Sequence, residues 1–158
     1  MTKQLSVSVT QEAGAPAPDV YTILADYRNH HPHILPPGTF KSLVVEEGGV
    51  GEGTVFAASL AAFGRTQQFR MRVTEPQPGR VLMESDLARD LVTTFTVTPT
   101  GSGRCSVTIA TQWEAASGLV GWVENRMTPP FLRRVYREEL ALLDRYAQTF
   151  AAGDSPRA

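Results

Sequence analysis

The sequence predicts an α+β domain in which a curved, seven-stranded antiparallel sheet surrounds a long carboxy-terminal helix. Between residues 39 and 113, strand-like runs are separated repeatedly by Gly and Pro. After residue 128, apolar residues recur at the spacing of one helical face. Residues 16–34 carry the patterns of two short helices, which would follow the first strand. An antiparallel sheet of this kind must cover one face with helices, and the long helix is the natural cover.

The strands are predicted from alternation and from their turns. Leu5, Val7 and Val9 alternate with small polar residues, which is typical of a half-buried first strand. A glycine turn at Gly64 and a Pro78-Gly79 turn separate later runs, and residues 99–103 form a five-residue hairpin loop. Six more strands are therefore predicted, at residues 40–47, 54–63, 65–75, 81–86, 91–98 and 104–113.

The helices are predicted from apolar residues spaced three or four apart. The first short helix begins near Pro16 and Pro18, and its apolar face comprises Val20, Ile23, Leu24 and Tyr27. A second helix of at most one turn starts at Pro32. Residues 119–127 form a helix that we expect to break or kink at residues 128–130, so that the main helix begins at Pro129. Its apolar stripe is Leu132, Val135, Tyr136, Leu140, Leu143, Ala147 and Phe150.

Length and charge limit the class of protein. The chain has 158 residues and no repeat or linker, so residues 1–158 are treated as one domain. A net charge of -1 lacks the basic field that nucleic-acid binding usually needs. No run resembles a signal peptide or a membrane span, and the single Cys105 fits a reducing compartment. We therefore expect a cytoplasmic protein with no nucleic-acid partner and no stable membrane insertion.

The predicted concave face is apolar and rich in aromatic side chains. A sheet curved around one helix encloses more volume than that helix fills, and the small Ala58 among larger neighbours indicates unfilled room. We therefore predict a cavity for a small hydrophobic ligand. Its predicted ligand-binding residues in the sheet are Phe56, Leu60, Phe69, Met71, Met83, Phe95 and Trp113.

The helical region supplies three more predicted ligand-binding residues. Trp122 and Met127 precede the predicted helix break, where fewer backbone hydrogen bonds would let a gate open, although simple core packing is an alternative. Tyr136, on the main helix, could give the ligand a polar contact, as could Gln112 or a histidine.

The chain resembles the START-related superfamily of polyketide cyclases, dehydrases and lipid-transport proteins (SRPBCC). The resemblance covers nearly the full length and rests on several strings: VYTILADY at 20–27 opening into a His-Pro segment, GVGEGT at 49–54, EPQPGRV at 75–81, TFTV at 94–97 and the leucine-rich last helix. It implies the helix-grip fold. It also implies a hydrophobic ligand, such as a sterol, lipid or polyketide, between sheet and helix.

No group of residues forms a catalytic or metal-binding signature. The glycine-rich residues 48–53 lead into a strand rather than a helix, so we interpret them as a structural turn and not a phosphate site. His30, His31 and His33 lack the further ligands of a metal site and are interpreted as surface, capping or cavity-mouth residues. Cys105 is interpreted as an inert core thiol.

The charged residues are expected on solvated faces. Glu84 and Asp86 fall opposite Met83 in register, so we predict that both face solvent rather than act as acid and base. Arg65, Arg70 and Arg72 would lie on the outer strand face. The helix residues Arg133, Arg134, Arg137, Glu138 and Glu139 are interpreted as exposed.

Three functions remain open from the sequence. The first is a soluble binding or carrier protein for a lipid- or polyketide-like ligand, with no cofactor and no metal. The second is a cyclase- or dehydrase-like enzyme that uses the same cavity, which requires a buried, hydrogen-bonded polar pair inside it. The third is a protein-interaction module with a collapsed cavity.

Overall fold

One seven-stranded antiparallel sheet makes up most of the protein. The computed structural model describes residues 3–153, so the ends of the predicted domain, residues 1–2 and 154–158, lie outside the described part. The strands are β1 (Gln4–Ala13), β2 (Phe40–Glu47), β3 (Val55–Ala62), β4 (Arg65–Gln77), β5 (Val81–Asp86), β6 (Leu91–Gly101) and β7 (Arg104–Glu114). The helices are α1 (Ala17–Ala25), α2 (Gly118–Gly153) and a 3-10 helix at His31–Ile34. This arrangement confirms the predicted α+β helix-grip fold.

The strand order places β1 and β2 at opposite edges of the sheet, because β1 pairs with β7, the last strand of the β2–β7 meander. The order is β1-β7-β6-β5-β4-β3-β2, and every neighbouring pair is antiparallel. Gly101 pairs with Arg104 across the β6–β7 hairpin, so its loop contains only Ser102 and Gly103. The predicted five-residue loop is therefore wrong, because β6 continues through Pro99 to Gly101 with a register irregularity there.

The glycine-rich connection before β3 supports the chain that leaves α1. The Tyr27 N–H donates to the Gly49 carbonyl at 2.8 Å, and the Arg28 guanidinium donates to the Gly48 carbonyl at 2.7 Å. Gly49 has a φ of 144°, and a Cβ there would lie 2.3 Å from Nε of Arg28. The connection therefore needs glycine for a close approach between two segments, in agreement with its interpretation as a structural turn.

The long helix α2 is continuous from Gly118 to Gly153 and contains Pro129 and Pro130 in its interior. The predicted break at residues 128–130, with a new helix beginning at Pro129, is therefore wrong, whereas the alternative of a kink at these residues stays a prediction. The φ angle of proline is compatible with a helix, although each of the two prolines lacks the N–H donor of a helical hydrogen bond.

The core lies between the concave face of the sheet and α2. Val135, Leu140, Leu143 and Ala147 on α2 are buried with the inward side chains of the strands and of α1. The helix thus covers the sheet along its carboxy-terminal half, as the apolar stripe predicts. No helix within residues 3–153 has the length and apolar character needed to cross a membrane.

Candidate functional site

A cavity of about 120 Å³ lies between the concave face of the sheet and α2. It is close in size to the roughly 150 Å³ apolar cavity that accepts benzene in an engineered protein. The wall is mostly apolar, and its hydrophobic side chains are Leu35, Phe40, Leu43, Phe56, Ala58, Leu60, Phe69, Met71, Leu91, Phe95 and Leu132. A protein-interaction module with a collapsed cavity was the third function left open by the sequence, whereas the structure has room for a small molecule.

A second cavity of about 280 Å³ adjoins the first near the amino-terminal half of α2. The two cavities share Leu60, Phe69, Leu91 and Leu132 in their walls. The outer cavity also has a polar rim, formed by Gln67, Arg89, Glu114, Glu124 and Asn125. We describe it as the mouth cavity, because it lies between the inner cavity and this polar rim.

Glu84 projects into the inner cavity from β5 and is only 8% exposed. The Tyr27 hydroxyl, which enters from the segment after α1, donates to Oε1 of Glu84 at 2.6 Å. Burial raises the pKa of the Glu84 carboxyl to about 7, although the hydrogen bond from Tyr27 acts in the opposite direction. Glu84 can therefore gain or lose a proton near neutral pH.

Glu139 reaches the same cavity from α2 and is 3% exposed. Burial and then the negative charge of Glu84 raise the pKa of the Glu139 carboxyl well above its usual range. Among residues 3–153 every enclosed side-chain polar atom has a hydrogen-bond partner, and none is found for the Glu139 carboxyl. Its oxygens therefore border the open space of the cavity, where a ligand can meet them.

A short chain of hydroxyl groups lines another part of the wall. Thr93 on β6 and Thr111 on β7 are hydrogen-bonded through their hydroxyls at 2.8 Å. The Thr111 hydroxyl is in turn 2.5 Å from the hydroxyl of Tyr136 on α2. Burial raises the pKa of Tyr136, so its phenol stays protonated at neutral pH. The three hydroxyls can share hydrogen bonds with a polar ligand atom.

His31 supplies a neutral imidazole to the wall. Its Nδ1 lies 2.7 Å from the Leu24 carbonyl, and its ring stacks on that of Tyr27 with 4.4 Å between centroids. Burial lowers the pKa of the imidazole to about 4, against the opposing effect of the hydrogen bond to Leu24. At neutral pH this side chain is uncharged.

Seven of the predicted ligand-binding residues lie beside these cavities. Six line the inner cavity: Phe56, Leu60, Phe69, Met71, Phe95 and Tyr136. Trp113 lines the mouth cavity. The structure thus brings together one predicted aromatic wall, and ligand contact by these residues stays a prediction.

Three predicted residues are placed elsewhere. The prediction that Met83 points inward is wrong, because the buried residues of β5 are Leu82 and Glu84. Trp122 is 57% exposed and Met127 is 45% exposed, and neither lines the inner or the mouth cavity. Gln112 is also exposed and lies on the outer face of β7, since alternation places Thr111 inside. The structure supports no contact of these side chains with the cavity.

The structure also corrects three acidic residues that the sequence placed in solvent: Glu84, Asp86 and Glu139. Glu84 shares the inward parity of Leu82, so it faces the cavity rather than solvent. The Asp86 side chain is only 1% exposed, and it accepts hydrogen bonds from the Ala88 N–H at 2.7 Å and the Arg89 N–H at 2.9 Å, so it stabilises the turn after β5 instead of facing solvent. Glu139 is buried while Glu138 is exposed. Glu139 lies three residues after Tyr136 and one before Leu140, which places it on the apolar stripe of α2. This position in the sequence could have indicated that Glu139 is buried.

The remaining polar groups are structural. His30 Nδ1 lies 2.8 Å from the Tyr146 hydroxyl, and His33 stacks on the same ring at 5.2 Å, so both connect the 3-10 helix to α2. Within residues 3–153 no group of three or more His, Cys, Asp or Glu could hold a metal ion.

Cys105 is buried, and burial raises its thiol pKa to about 11, which suits an inert thiol. Arg70, Arg72, Arg133, Arg134 and Arg137 are exposed, as predicted.

Comparisons with known proteins agree with this fold. The family model described as polyketide cyclase/dehydrase and lipid transport matches residues 4–148. The KanY protein, solved by NMR, is 31% identical with a TM-score of 0.80, and the match covers 92% of this chain and 99% of that one. None of the curated proteins matches the chain in sequence.

Two more distant structures share the fold. The ZhuI aromatase/cyclase from Streptomyces sp. R1128 is 18% identical with a TM-score of 0.77, over 92% of this chain and 94% of that one. A point mutant of norcoclaurine synthase from Thalictrum flavum, in complex with a transition-state analogue, is 18% identical with a TM-score of 0.71, over 94% and 97%. Because the family model spans most of the sequence, this protein belongs to the polyketide cyclase/dehydrase and lipid transport family, within the SRPBCC superfamily.

Proposed function

We propose that this protein is an enzyme of the cyclase and dehydrase kind, which binds a small, mostly apolar ketone in the inner cavity and moves protons with Glu84 and Glu139. The observation that carries the proposal is that two buried carboxyl groups face one apolar cavity. Burying a carboxyl group without a cationic partner costs stability, so such groups are typically retained for chemistry.

The two carboxyl groups are suited to opposite roles. Near pH 7 about half of the Glu84 side chains are ionised, since burial has raised that pKa to about 7. Glu139 stays protonated, because its pKa is raised well above the usual range by burial and by Glu84. One cavity therefore holds a base and an acid at the same pH, which is how paired carboxyl groups divide acid and base work.

The reaction that fits is loss of water from a β-hydroxy ketone. Ionised Glu84 removes a proton from the carbon between the carbonyl and the carbinol, and the electron pair of that C–H bond forms the new C=C bond. As the C–O bond to the leaving hydroxyl breaks, protonated Glu139 gives that oxygen its proton, and water departs. Glu84 ends protonated and Glu139 ionised, so one proton returns between them before the next turnover.

The family supports this proposal, since its description includes cyclases and dehydrases. An enzyme was expected to need a buried, hydrogen-bonded polar pair inside the cavity, and the proposal is supported by such a pair, Thr111 and Tyr136, in the cavity wall. The carrier hypothesis shares the binding step and differs only in the absence of a reaction. The largely apolar wall favours it as the second candidate.

The test uses the aldol adduct of benzaldehyde and acetone, whose dehydration to benzalacetone is followed by ultraviolet absorbance. Wild-type protein should accelerate this dehydration, and Glu84→Gln and Glu139→Gln should each reduce the rate by about 100-fold or more. Glu138→Gln, which changes the exposed neighbour on α2, is the matched control and should keep the full rate. Binding of the adduct without acceleration would support the carrier and overturn the enzyme.

A further inference from the structure

The proton of the His31 ring is assigned by its hydrogen bond. Nδ1 lies 2.7 Å from the carbonyl oxygen of Leu24, and a carbonyl oxygen can only accept. Nδ1 therefore carries the hydrogen and donates it. In a neutral imidazole the other nitrogen, Nε2, then has a free lone pair and acts as an acceptor.

This acceptor borders the open space of the inner cavity. His31 is 2% exposed and lines the cavity wall. No hydrogen-bond partner for Nε2 is found among residues 3–153, yet every enclosed side-chain polar atom in that range has one. Nε2 is therefore not enclosed by protein, and the space it meets is the cavity.

The ring is held in one orientation. It stacks on Tyr27 with an interplanar angle of 16°, and it contacts Phe95 edge-on with 5.8 Å between centroids. With Nδ1 bonded to the backbone of α1, the imidazole cannot rotate without losing these contacts. The direction of the Nε2 lone pair is thus fixed before a ligand arrives, so little conformational entropy is lost on binding.

We infer that His31 selects ligands that carry a hydroxyl group on an aromatic ring, by accepting a hydrogen bond from that hydroxyl at Nε2. The inference rests on the proposed binding of a small molecule in this cavity, and it names the chemical class of that molecule. Four phenylalanine rings line the same cavity and suit an aromatic ligand: Phe40, Phe56, Phe69 and Phe95.

The selection follows from the cost of an unpaired acceptor. A ligand that fills the cavity displaces solvent from Nε2, and a buried acceptor without a donor is unfavourable. A hydroxyaromatic ligand supplies that donor, whereas a hydrocarbon of the same shape does not. Sites built to bond a hydroxyl discriminate strongly against analogues that lack it.

The probes are phenol and toluene, which have nearly the same shape and differ in one hydroxyl group. Their dissociation constants are measured with wild-type protein and with His31→Phe, which keeps an aromatic ring and removes Nε2. The phenol-to-toluene ratio of dissociation constants is then compared between the two proteins. Because the hydration of each free probe is the same in both measurements, its contribution cancels in this comparison. The ratio of the phenol dissociation constant to the toluene dissociation constant should rise by about tenfold in His31→Phe.

His33→Phe is the matched control, because it removes an exposed imidazole from the same 3-10 helix. It should keep the wild-type ratio. A second measurement needs no variant: the ¹⁵N resonance of unprotonated Nε2 in wild-type protein should move upfield when phenol saturates the site, and should not do so with toluene.

Each outcome is decisive. The role of His31 would be overturned if the phenol-to-toluene ratio of dissociation constants were the same in wild-type and His31→Phe protein. It would also be overturned if phenol did not move the Nε2 resonance. Either result would leave the cavity as a binding site. Failure of both probes to bind wild-type protein would overturn the small-ligand cavity itself, and with it this inference.

Discussion

The Tyr27 hydroxyl donates a 2.6 Å hydrogen bond to Glu84, and both side chains are buried. Tyr27 follows α1 and Glu84 belongs to β5, so the bond joins two elements separated by 57 residues of chain. Such a bond favours the ionised form of a carboxyl group, whereas the surrounding apolar wall favours the protonated form. The balance between the two sets the pH at which Glu84 can act as a base.

Removing the Tyr27 hydroxyl should move that pH upward. In Tyr27→Phe the pKa of Glu84 rises, because the hydrogen bond that lowers it is lost. The rising limb of the pH–rate profile for dehydration of the aldol adduct should shift to higher pH by about one unit, consistent with a bond worth about 1 to 2 kcal/mol. Tyr21→Phe is the control, since that hydroxyl bonds Glu75 and does not line the cavity. An unchanged limb in Tyr27→Phe would contradict the role of Glu84 as the base.

The raised pKa of Glu84 should also make the free energy of unfolding depend on pH. The pKa of Glu84 is about 7 in the folded protein and near 4.5 when unfolded, so its contribution is present below about pH 4.5 and is lost as pH rises through 7. The Glu84→Gln variant has no carboxyl group at this position, so it does not lose this stability as pH rises. The free energy of unfolding of the variant, relative to wild type, should increase by about 3 kcal/mol between these two pH values.

Urea denaturation at a series of pH values measures this difference, with Glu138→Gln as the control on an exposed carboxyl group. A difference between Glu84→Gln and wild type that stays constant with pH would mean that Glu84 titrates as an ordinary exposed residue.

Filling the cavity should block binding without unfolding the protein. Ala58 on β3 lines the inner cavity and is buried, so Ala58→Leu adds side-chain atoms to open space. We expect toluene affinity to fall by at least about tenfold, with a change in unfolding free energy below about 1.5 kcal/mol. Ala57→Leu adds the same atoms on the other face of β3 and should leave binding unchanged. Toluene binding that survives Ala58→Leu would locate the site elsewhere.

The glycine connection gives a prediction about the fold alone. Gly49→Ala places a Cβ against the Arg28 side chain at a positive φ, so it should destabilise the protein by about 1 to 3 kcal/mol. At Gly38 a Cβ would meet no atom within 4 Å and φ is ordinary, so Gly38→Ala should be nearly neutral. Thermal denaturation of the two variants compares them. Equal stabilities would show that Arg28 moves aside at no cost.

The sequence predicted the elements better than the chemistry. Strand and helix positions follow from apolar periodicity, which the core of this fold obeys at Val107, Ile109 and Leu140. The inner face of β5 was missed, because Val81 and Met83 look more apolar than the pair Leu82 and Glu84. Tertiary pairing decides the face instead: Leu82 lies opposite Phe95, and Glu84 lies opposite Thr93.

The candidate site was hard to predict for the same physical reason. Pattern analysis assigns charged residues to solvent, which is correct for Arg70 and Arg137 and wrong for Glu84 and Glu139. Functional sites often break the local rule that the rest of the fold follows. His31 gave no periodic signal either, because its environment depends on two ring contacts that sequence periodicity does not reveal. Phe95 is far from His31 in the sequence, and Tyr27 lies outside the 3-10 helix that contains His31.

The open order of the sheet has a consequence for the size of guest that the fold accepts. β1 and β2 are its two edges and make no backbone ladder with each other. A closed barrel can widen only by breaking such a ladder, whereas this sheet can flatten by a small change in strand twist while all six ladders persist. We therefore expect molecules larger than benzene to be accommodated by a change in sheet twist whose cost is spread over many residues.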